Sequence, residues 1–414
     1  MASLALSDLV YDPRDAAIRA DPFPLFRHLQ DMDPLHWSPA LKSWVLTRYD
    51  DVRRIALADD LSPDRLTPFY ARLDDPQRAV LADVMRYLNL WLVFRDPPEH
   101  TRLRRLLGVA FTPRAVAALA GPIETIANEL LDGLAGRGIV DLIGDFAMPL
   151  PALVIMDMLG VPRDRLDDMK AWSDDLVGFI GSARAAPDKY ERARHGAVCM
   201  AACFRDLIAE RRRRPRDDFM SVLIAARDDE AEDGSERLSE DELVASCMLF
   251  LFAGHETTTN LIGNAALMLM RNPDQRDRLL AEPALIGSAV EEFLRYDGPS
   301  NALARVVSQA HTLHGTDLKP GERVFAMLNA ANRDARAFEQ PDRLDIKRSP
   351  NRHMTFGLGI HFCLGAALAR SEGRIAIKAL VQRFPSMRPV DGDEPEWRDA
   401  LIMRGMRRLP VVPA

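Results

Sequence analysis

The chain of 414 residues is poor in cysteine and aromatic residues and lacks long hydrophobic runs, and these shortages exclude whole classes of protein. Its four cysteines are too few for a disulfide-stapled secreted protein and fit a reducing compartment. The longest apolar stretch, Leu243 to Ala253, is too short to span a bilayer and contains a serine. The first residues include neither a basic segment nor the apolar core of a signal peptide. We therefore expect a soluble, cytoplasmic protein without a membrane anchor.

An excess of positive charge is also missing. The 54 basic and 61 acidic residues give a net charge of −7, which argues against general nucleic-acid binding. The arginine-rich run from Glu210 to Arg216 is interpreted as a solvated helix end, because acidic residues follow closely. His195, Cys199 and Cys203 stand four apart on one predicted helix, but no fourth metal ligand is evident. Since no Ser/Gly/Pro-rich linker divides the chain, we expect one domain over residues 1–414.

Several local patterns predict secondary structure. Trp44 to Tyr49 reads as a strand paired with His36-Trp37, within a β-containing N-terminal part at about 30–65 that packs on a helical core. Residues 63–96 are predicted to be an irregular loop rich in proline and aromatic residues. Lys319 to Glu322 predicts a turn between two short strands.

The longest predicted helix begins at a capping box, Ser239 and Glu242, and runs to about Met270. About 30 residues at 1.5 Å each give a length of roughly 45 Å. Both arms are apolar almost all round, as a buried helix requires. The central run Ala253–Asn260 breaks this pattern, because glycine and three threonines weaken a helix. A zinc-protease motif is excluded, since Thr259 occupies the second ligand position; a polar kink stabilised by neighbours remains an alternative.

A second unusual stretch is FGLGIHFCLGAALAR, from Phe356 to Arg370. Gly357 and Gly359 allow backbone angles that other residues avoid. Cys363 stands at the predicted first turn of a helix, where free N–H groups and the helix dipole favour a thiolate. Alone, a cysteine near a helix start is most often a small core residue.

The whole run resembles the haem ligand loop of the cytochrome P450 superfamily, FGxGxHxCLGxxLAR, and the likeness continues from about residue 20 to the end of the chain. The resemblance implies a mainly α fold with small β-sheets and haem b lying between the long central helix and the cysteine helix. Cys363 carries over as the iron ligand. The other implied cofactor contacts are His100, Arg104, Ala253, Gly254, Arg305, Phe356, Gly357, His361 and Gly365.

Two further motifs resemble those of the same family. AGHETT in the long helix is similar to the family's acid–alcohol pair, which implies that Glu256 and Thr257 are catalytic and relay protons. His255 receives no role. Glu292 and Arg295 resemble the family's ExxR pair, with Arg343 as the implied third partner in a structural cluster.

The resemblance implies a monooxygenase that inserts one oxygen atom of O2 into a small apolar molecule. The electrons would come from a separate ferredoxin and its NAD(P)H-dependent reductase. A peroxide-driven haem-thiolate enzyme, a non-catalytic haem sensor and a haem-free helical scaffold remain alternatives. The expected substrate-pocket residues are Leu88, Trp91, Phe250, Asn301, Ala302, Leu303 and Ile402. The expected redox-partner surface comprises Arg105, Arg114, Arg352 and Arg370.

Overall fold

The structure is a computed structural model that describes residues 10–181, 186–226 and 237–413. Residues 1–9 and most of the acidic run after Arg216 therefore lie outside the described part. The helices of the first half are α1 (Ala16–Ala20), α2 (Phe23–Met32), α3 (Tyr49–Leu57), α4 (Leu66–Ala71), α5 (Asp75–Leu88), α6 (Glu99–Gly108), α7 (Pro113–Ala118), α8 (Ala120–Asp132), α9 (Pro149–Leu159), α10 (Leu166–Ile180) and α11 (Lys189–Arg213). The later helices are α12 (Phe219–Ala225), α13 (Glu240–Arg271), α14 (Pro273–Ala281), α15 (Ile286–Asp297), α16 (Leu328–Ala331) and α17 (Ala366–Arg383).

The strands are short and form small sheets around the helices. They are β1 (Leu35–Ser38), β2 (Ser43–Leu46), β3 (Leu61–Ser62), β4 (Val140–Asp141), β5 (Ala302–Val307), β6 (His311–Leu313), β7 (Thr316–Leu318), β8 (Arg323–Met327), β9 (Arg388–Pro389), β10 (Glu396–Trp397), β11 (Met406–Arg408) and β12 (Pro410–Val412). The largest sheet has the order β1-β2-β8-β5-β3, and β4-β12-β9 form a second. The expected mainly α fold with small sheets is confirmed.

The five-stranded sheet joins the N-terminal part to residues far along the chain. β1 and β2 are antiparallel, with Trp37 opposite Trp44, as predicted. β2 then pairs in parallel with β8, so that Val45 lies opposite Phe325. The predicted strand ends earlier than expected, because Tyr49 already begins α3. This sheet brings Ala302 to Val307 of β5 towards the interior of the protein.

The long central helix α13 is the core element. Its predicted capping box is present: the Ser239 hydroxyl accepts from the N–H of Glu242, and the Glu242 carboxylate accepts from the N–H of Ser239. Most of its side chains are buried, and it packs against α9, α11, α15 and α17. Apolar burial on nearly every face explains why a helix with polar residues at its centre is held in place.

Residues 63–96 are mostly helical, so the predicted irregular loop is wrong. Asp74 caps α5 by accepting from the N–H of Gln77, and the Gln77 side chain accepts from the N–H of Asp74. Pro76 occupies the first turn, where its missing N–H costs nothing. The helix then buries Leu81, Val84 and their neighbours against α11 and α13.

No single helix in the described ranges is long and apolar enough to cross a membrane. One bent pair, Glu99–Gly108 followed by Pro113–Asp132 with a 46° bend, meets the criteria by length and composition alone.

Candidate functional site

Cys363 is presented by a tight loop ahead of α17. Gly357 and Gly359 have φ angles of 71° and 64°, which glycine adopts without strain. The N–H of Cys363 donates to the carbonyl of Phe356 at 2.9 Å, which closes the loop. The helix begins at Ala366, so Cys363 precedes its first turn and does not lie within it. The thiol is free and borders an internal cavity.

The cavity has a volume of about 370 Å³, within the range of sites that bind organic ligands. Ala253, Gly254 and Thr257 of α13 border it, and so do Cys363 and Gly365. The cysteine loop and the unusual turn of α13 therefore face one shared space, as the resemblance requires. Of the expected cofactor contacts, all border this cavity; they are His100, Arg104, Ala253, Gly254, Arg305, Phe356, Gly357, His361 and Gly365.

The surroundings of Cys363 do not by themselves favour the predicted thiolate. Its sulfur borders the cavity, and desolvation is the largest influence on the thiol. Burial raises the pKa of Cys363 above that of an ordinary thiol, although a hydrogen bond from the N–H of Gly365 opposes the shift. The helix start alone therefore does not produce a thiolate. A bound metal ion would do so, since coordinated thiols lose their proton.

Four basic side chains gather at the cavity wall: His100, Arg104, Arg305 and His361. The rings of His100 and His361 lie 4.3 Å apart, and neither ring nitrogen of the buried His100 has a hydrogen-bond partner among the residues that the structure describes. Burial, with the charges of Arg305, His100 and Arg104, lowers the pKa of His361 to about 3. Burial also lowers the pKa of Arg305 to about 10. Within the described ranges no carboxylate forms an ion pair with these four, although the charge of Asp96 acts on His100 and Arg305 without such a contact. The cluster therefore fits the two propionates of a haem.

Two glycines that border the cavity, Gly254 of α13 and Gly365 directly before α17, serve different purposes. A Cβ added to Gly365 would meet nothing within 4 Å, so this position leaves the cavity open. A Cβ on Gly254 would lie 3.0 Å from the Cδ1 of Ile155. Gly254 therefore also allows α13 to pack closely against Ile155 of α9, a role that the sequence did not indicate.

Glu256 and Thr257 are adjacent on the cavity wall. The hydroxyl of Thr257 donates to the carbonyl of Ala253 at 2.8 Å, one turn earlier. Glu256 is 2% exposed, and its Oε2 makes no hydrogen bond within the described part of the protein, although Nη1 of Arg398 lies 3.4 Å away. The acid–alcohol pair is thus held at the cavity by α13 itself.

His255, to which the sequence gave no role, lies beside the acid. Its Nε2 is 3.3 Å from Oε1 of Glu256, and its Nδ1 is 2.6 Å from the carbonyl oxygen of Leu251. Burial opposes a charged imidazole, but the Glu256 carboxylate outweighs it and raises the pKa of His255. His255 and Arg398 in turn overcome the effect of burial on Glu256 and lower its pKa. The pair favours an ionised carboxylate at the cavity.

Glu372 is a buried acid that the sequence analysis missed. It lies on α17 at the cavity wall and accepts a hydrogen bond from Thr258 at 3.1 Å. Burial raises the pKa of Glu372 to about 8, and the Thr258 hydrogen bond only partly offsets the shift. A glutamate nine residues after a cysteine carries no signal in a single sequence.

The structural cluster contains a different arginine from the one predicted. Glu292 and Arg295 are fully buried and form two hydrogen bonds of 2.8 Å. The third partner is Arg348, whose Nε lies 3.1 and 3.2 Å from the two Glu292 oxygens. The side chain of Arg343 is exposed and reaches Gln340, while its carbonyl accepts from Arg295. The prediction of Arg343 is therefore wrong, because the chain turns between residues 343 and 348.

Five of the seven expected substrate-pocket residues border the cavity; they are Trp91, Phe250, Ala302, Leu303 and Ile402. Leu88 does not, since it is 0% exposed within the packed core. Asn301 also does not, because its side chain turns away to donate to the carbonyl of Leu401 at 2.9 Å.

Three of the four arginines expected at a redox-partner surface, Arg105, Arg114 and Arg352, are exposed. Arg370 is less available to a partner protein, because its guanidinium donates to both oxygens of Glu291 at 2.7 and 2.9 Å. It also lies over the ring of Phe356, 4.4 Å from the centroid. Burial acts to raise the pKa of Glu291, but hydrogen bonds from Arg370 and His353 hold it at about 2. Arg370 therefore braces the cysteine loop.

Comparisons with known proteins agree with this geometry. The family model described as Cytochrome P450 matches residues 71–407. Cytochrome P450 107B1 of Saccharopolyspora erythraea is 42% identical, with 97% of this chain and 94% of that protein covered. The vitamin D(3) 25-hydroxylase of Pseudonocardia autotrophica is 43% identical, with 94% and 93% covered. The crystal structure of P450BioI in complex with a hexadec-9Z-enoic acid ligated acyl carrier protein superimposes with a TM-score of 0.85 at 34% identity, covering 96% of this chain and all of that one.

Proposed function

The chain belongs to the cytochrome P450 family, and from this premise we propose which of its residues perform the family's chemistry. The enzyme is a haem-dependent monooxygenase that inserts one oxygen atom of O2 into an organic substrate and receives electrons from a redox partner. The observation that carries the residue assignment is the shared cavity. Cys363, the Glu256–Thr257 pair and four basic side chains that form no ion pair with a described carboxylate all border it.

In this proposal Cys363 binds the iron, and His100, Arg104, Arg305 and His361 hold the propionates. The haem supplies oxygen activation, which a thiolate ligand favours by donating electron density to the iron. The buried network of Glu292, Arg295 and Arg348 stabilises the segment that precedes the cysteine loop. The backbone N–H of Asp345 and the side-chain amide of Asn351, both in that segment, also donate to the Glu292 carboxylate. The supporting network is structural and does not touch the cavity.

Proton delivery falls to two neighbouring side chains of α13. Because the proton of the Thr257 hydroxyl is engaged by the Ala253 carbonyl, its oxygen is free to accept a hydrogen bond from a donor in the cavity. The Glu256 carboxylate has a lowered pKa, and its Oε2 forms no hydrogen bond with the described residues, so it accepts protons from outside and passes them inward. His255 and Arg398 hold that carboxylate in place.

The finer assignments are also proposals. The substrate is a small molecule with a mainly apolar body, which Trp91, Phe250, Leu303 and Ile402 would contact. The electron donor is an acidic ferredoxin with an NAD(P)H-dependent reductase, and it docks near exposed Arg105, Arg114 and Arg352. Residues 1–414 act as one domain.

The deciding experiment is the spectrum of the ferrous carbonyl complex. The wild-type holoenzyme should show the red-shifted Soret band of a thiolate-bound haem, and Cys363→Ser should abolish it. Cys199→Ser, which changes a cysteine of α11 away from the cavity, is the matched control and should leave the band intact. An unchanged band in Cys363→Ser would remove this sulfur as the iron ligand and overturn the assignment.

A further inference from the structure

One cation at the cavity has no place in the haem assignment. Arg65 caps the start of α4, after β3, and its guanidinium borders the cavity. Its contacts are weak: Nη2 donates to the carbonyl of Ile180 at 3.4 Å, and the guanidinium lies 5.2 Å from the centre of the Phe94 ring. No acidic side chain forms an ion pair with Arg65 among the residues that the structure describes.

Away from the cavity, the buried arginines that the structure describes do have carboxylate partners. Three arginines that are buried elsewhere each have a carboxylate: Arg211 pairs with Asp218, Arg295 with Glu292, and Arg404 with Asp297. Removing a guanidinium from water without a countercharge is costly, so buried arginines are normally paired. Arg65 instead experiences repulsion from Arg305 and Arg323, and with burial this lowers its pKa to about 10. The side chain remains charged at neutral pH.

Arg65 lies at the border of the haem-binding cluster. The charge of Arg305, one member of the cluster, acts on Arg65. Arg65 is not among the charges that act on His361, which are those of Arg305, His100 and Arg104. Its immediate neighbours are Phe94 and Ile180, which border the cavity with apolar surface. The guanidinium is therefore directed to a part of the cavity whose other walls suit the body of an apolar molecule.

We propose that Arg65 binds a carboxylate at one end of the substrate, so that the enzyme oxidises an apolar molecule carrying one acidic group. A planar guanidinium can donate two parallel hydrogen bonds to a carboxylate, which gives direction as well as affinity. The acidic group would fix one end of the substrate and leave the apolar remainder in the cavity. This inference rests on the proposed function, because it assigns a ligand to the same cavity.

The test is optical titration of the holoenzyme, in which substrate binding is followed by the spin-state shift of the haem. The probes are decanoate, dodecanoate and hexadecanoate, each compared with its own methyl ester. Wild type should bind at least one acid roughly tenfold more tightly than its ester. Arg65→Met should remove that preference, because it weakens binding of the acid while the affinity for the ester stays within about twofold of wild type. Arg65→Lys should keep part of the preference. Arg72→Met, at an exposed arginine of the same segment, should behave as wild type.

Other outcomes overturn the proposal. If no acid binds wild type more tightly than its ester, or if Arg65→Met retains the preference, Arg65 does not recognise a substrate carboxylate. If Arg65→Met loses haem and weakens acid and ester equally, its anion is a haem propionate. A wild-type carbonyl complex without the red-shifted Soret band would instead refute the proposed function, so the two failures can be told apart.

Discussion

Replacing Arg348 by methionine should destabilise the protein far more than the same change at Arg343. Both substitutions remove one positive charge from the same segment and introduce the same side chain. Arg348 is largely buried, at 11% side-chain exposure, and lies against the carboxylate of Glu292. Arg343 is exposed, and its guanidinium makes a single long hydrogen bond of 3.4 Å to Gln340.

The size of the difference follows from these contacts. Hydrogen bonds to a charged group contribute about 1.5–3 kcal/mol, and the two contacts from Nε of Arg348 to Glu292 share one donor. Glu292 keeps Arg295 as a partner, so the loss stays below the roughly 3–5 kcal/mol expected when a buried charge is left unpaired. We expect Arg348→Met to lower the free energy of unfolding by about 2–3 kcal/mol. Arg343→Met should change it by less than about 0.5 kcal/mol.

The measurement is urea unfolding of the two holoenzymes, followed by far-UV circular dichroism and by haem absorbance. The ferrous carbonyl spectrum at low urea should be normal in both variants, because neither side chain borders the cavity. The reasoning would be refuted if the two variants had the same midpoint, or if Arg343→Met were the less stable.

Three further predictions concern the cavity. Thr257→Ala should divert electrons to hydrogen peroxide and reduce the product formed per electron roughly tenfold or more, whereas Thr257→Ser should not. If the alanine variant still used its electrons for product, Thr257 would not take part in proton delivery. Glu372 has a folded pKa of about 8, above its ordinary value of 4.5, so its contribution to stability is fully present below pH 4.5 and is lost as pH rises through about 8. In Glu372→Gln the free energy of unfolding should therefore fall less steeply between pH 4.5 and about 8 than in the wild type. An unchanged dependence on pH would count against the raised pKa of Glu372. His255→Leu should raise the pKa of Glu256, because His255 lowers it. The rise of product yield on the acidic side of its pH profile should then move to higher pH. An unchanged profile would show that the imidazole does not act on the acid.

The sequence predicted the features that are encoded locally. Ser239 and Glu242 lie three residues apart, so the start of α13 could be read without knowing what the helix packs against. Asp74 and Gln77 form the same kind of capping box at the start of α5, but it was not among the predicted features. Proline and aromatic residues in that segment favoured a loop, but burial of the helix against α11 and α13 prevailed over that composition.

The cavity itself could be predicted in outline and not in detail. The stretches around Cys363 and Thr257 are unusual in composition, and their resemblance to the motifs of a known family indicated their chemistry. The residues that contact these two stretches are determined by tertiary packing. An example is Arg398, which comes from the C-terminal part of the chain and pairs with Glu256. No periodicity within either segment reports such a contact.

The arginines show most clearly where sequence reasoning ends. Arg343 and Arg348 lie in one short segment, and so do Arg65 and Arg72, yet one of each pair is directed inward and the other is exposed. A long flexible side chain carries the same charge in either position, so its role depends on the group that faces it. For Arg348 that group is Glu292, which belongs to the protein. For Arg65 no acidic side chain within the described ranges takes that place, and so the partner is to be sought among the molecules that enter the cavity.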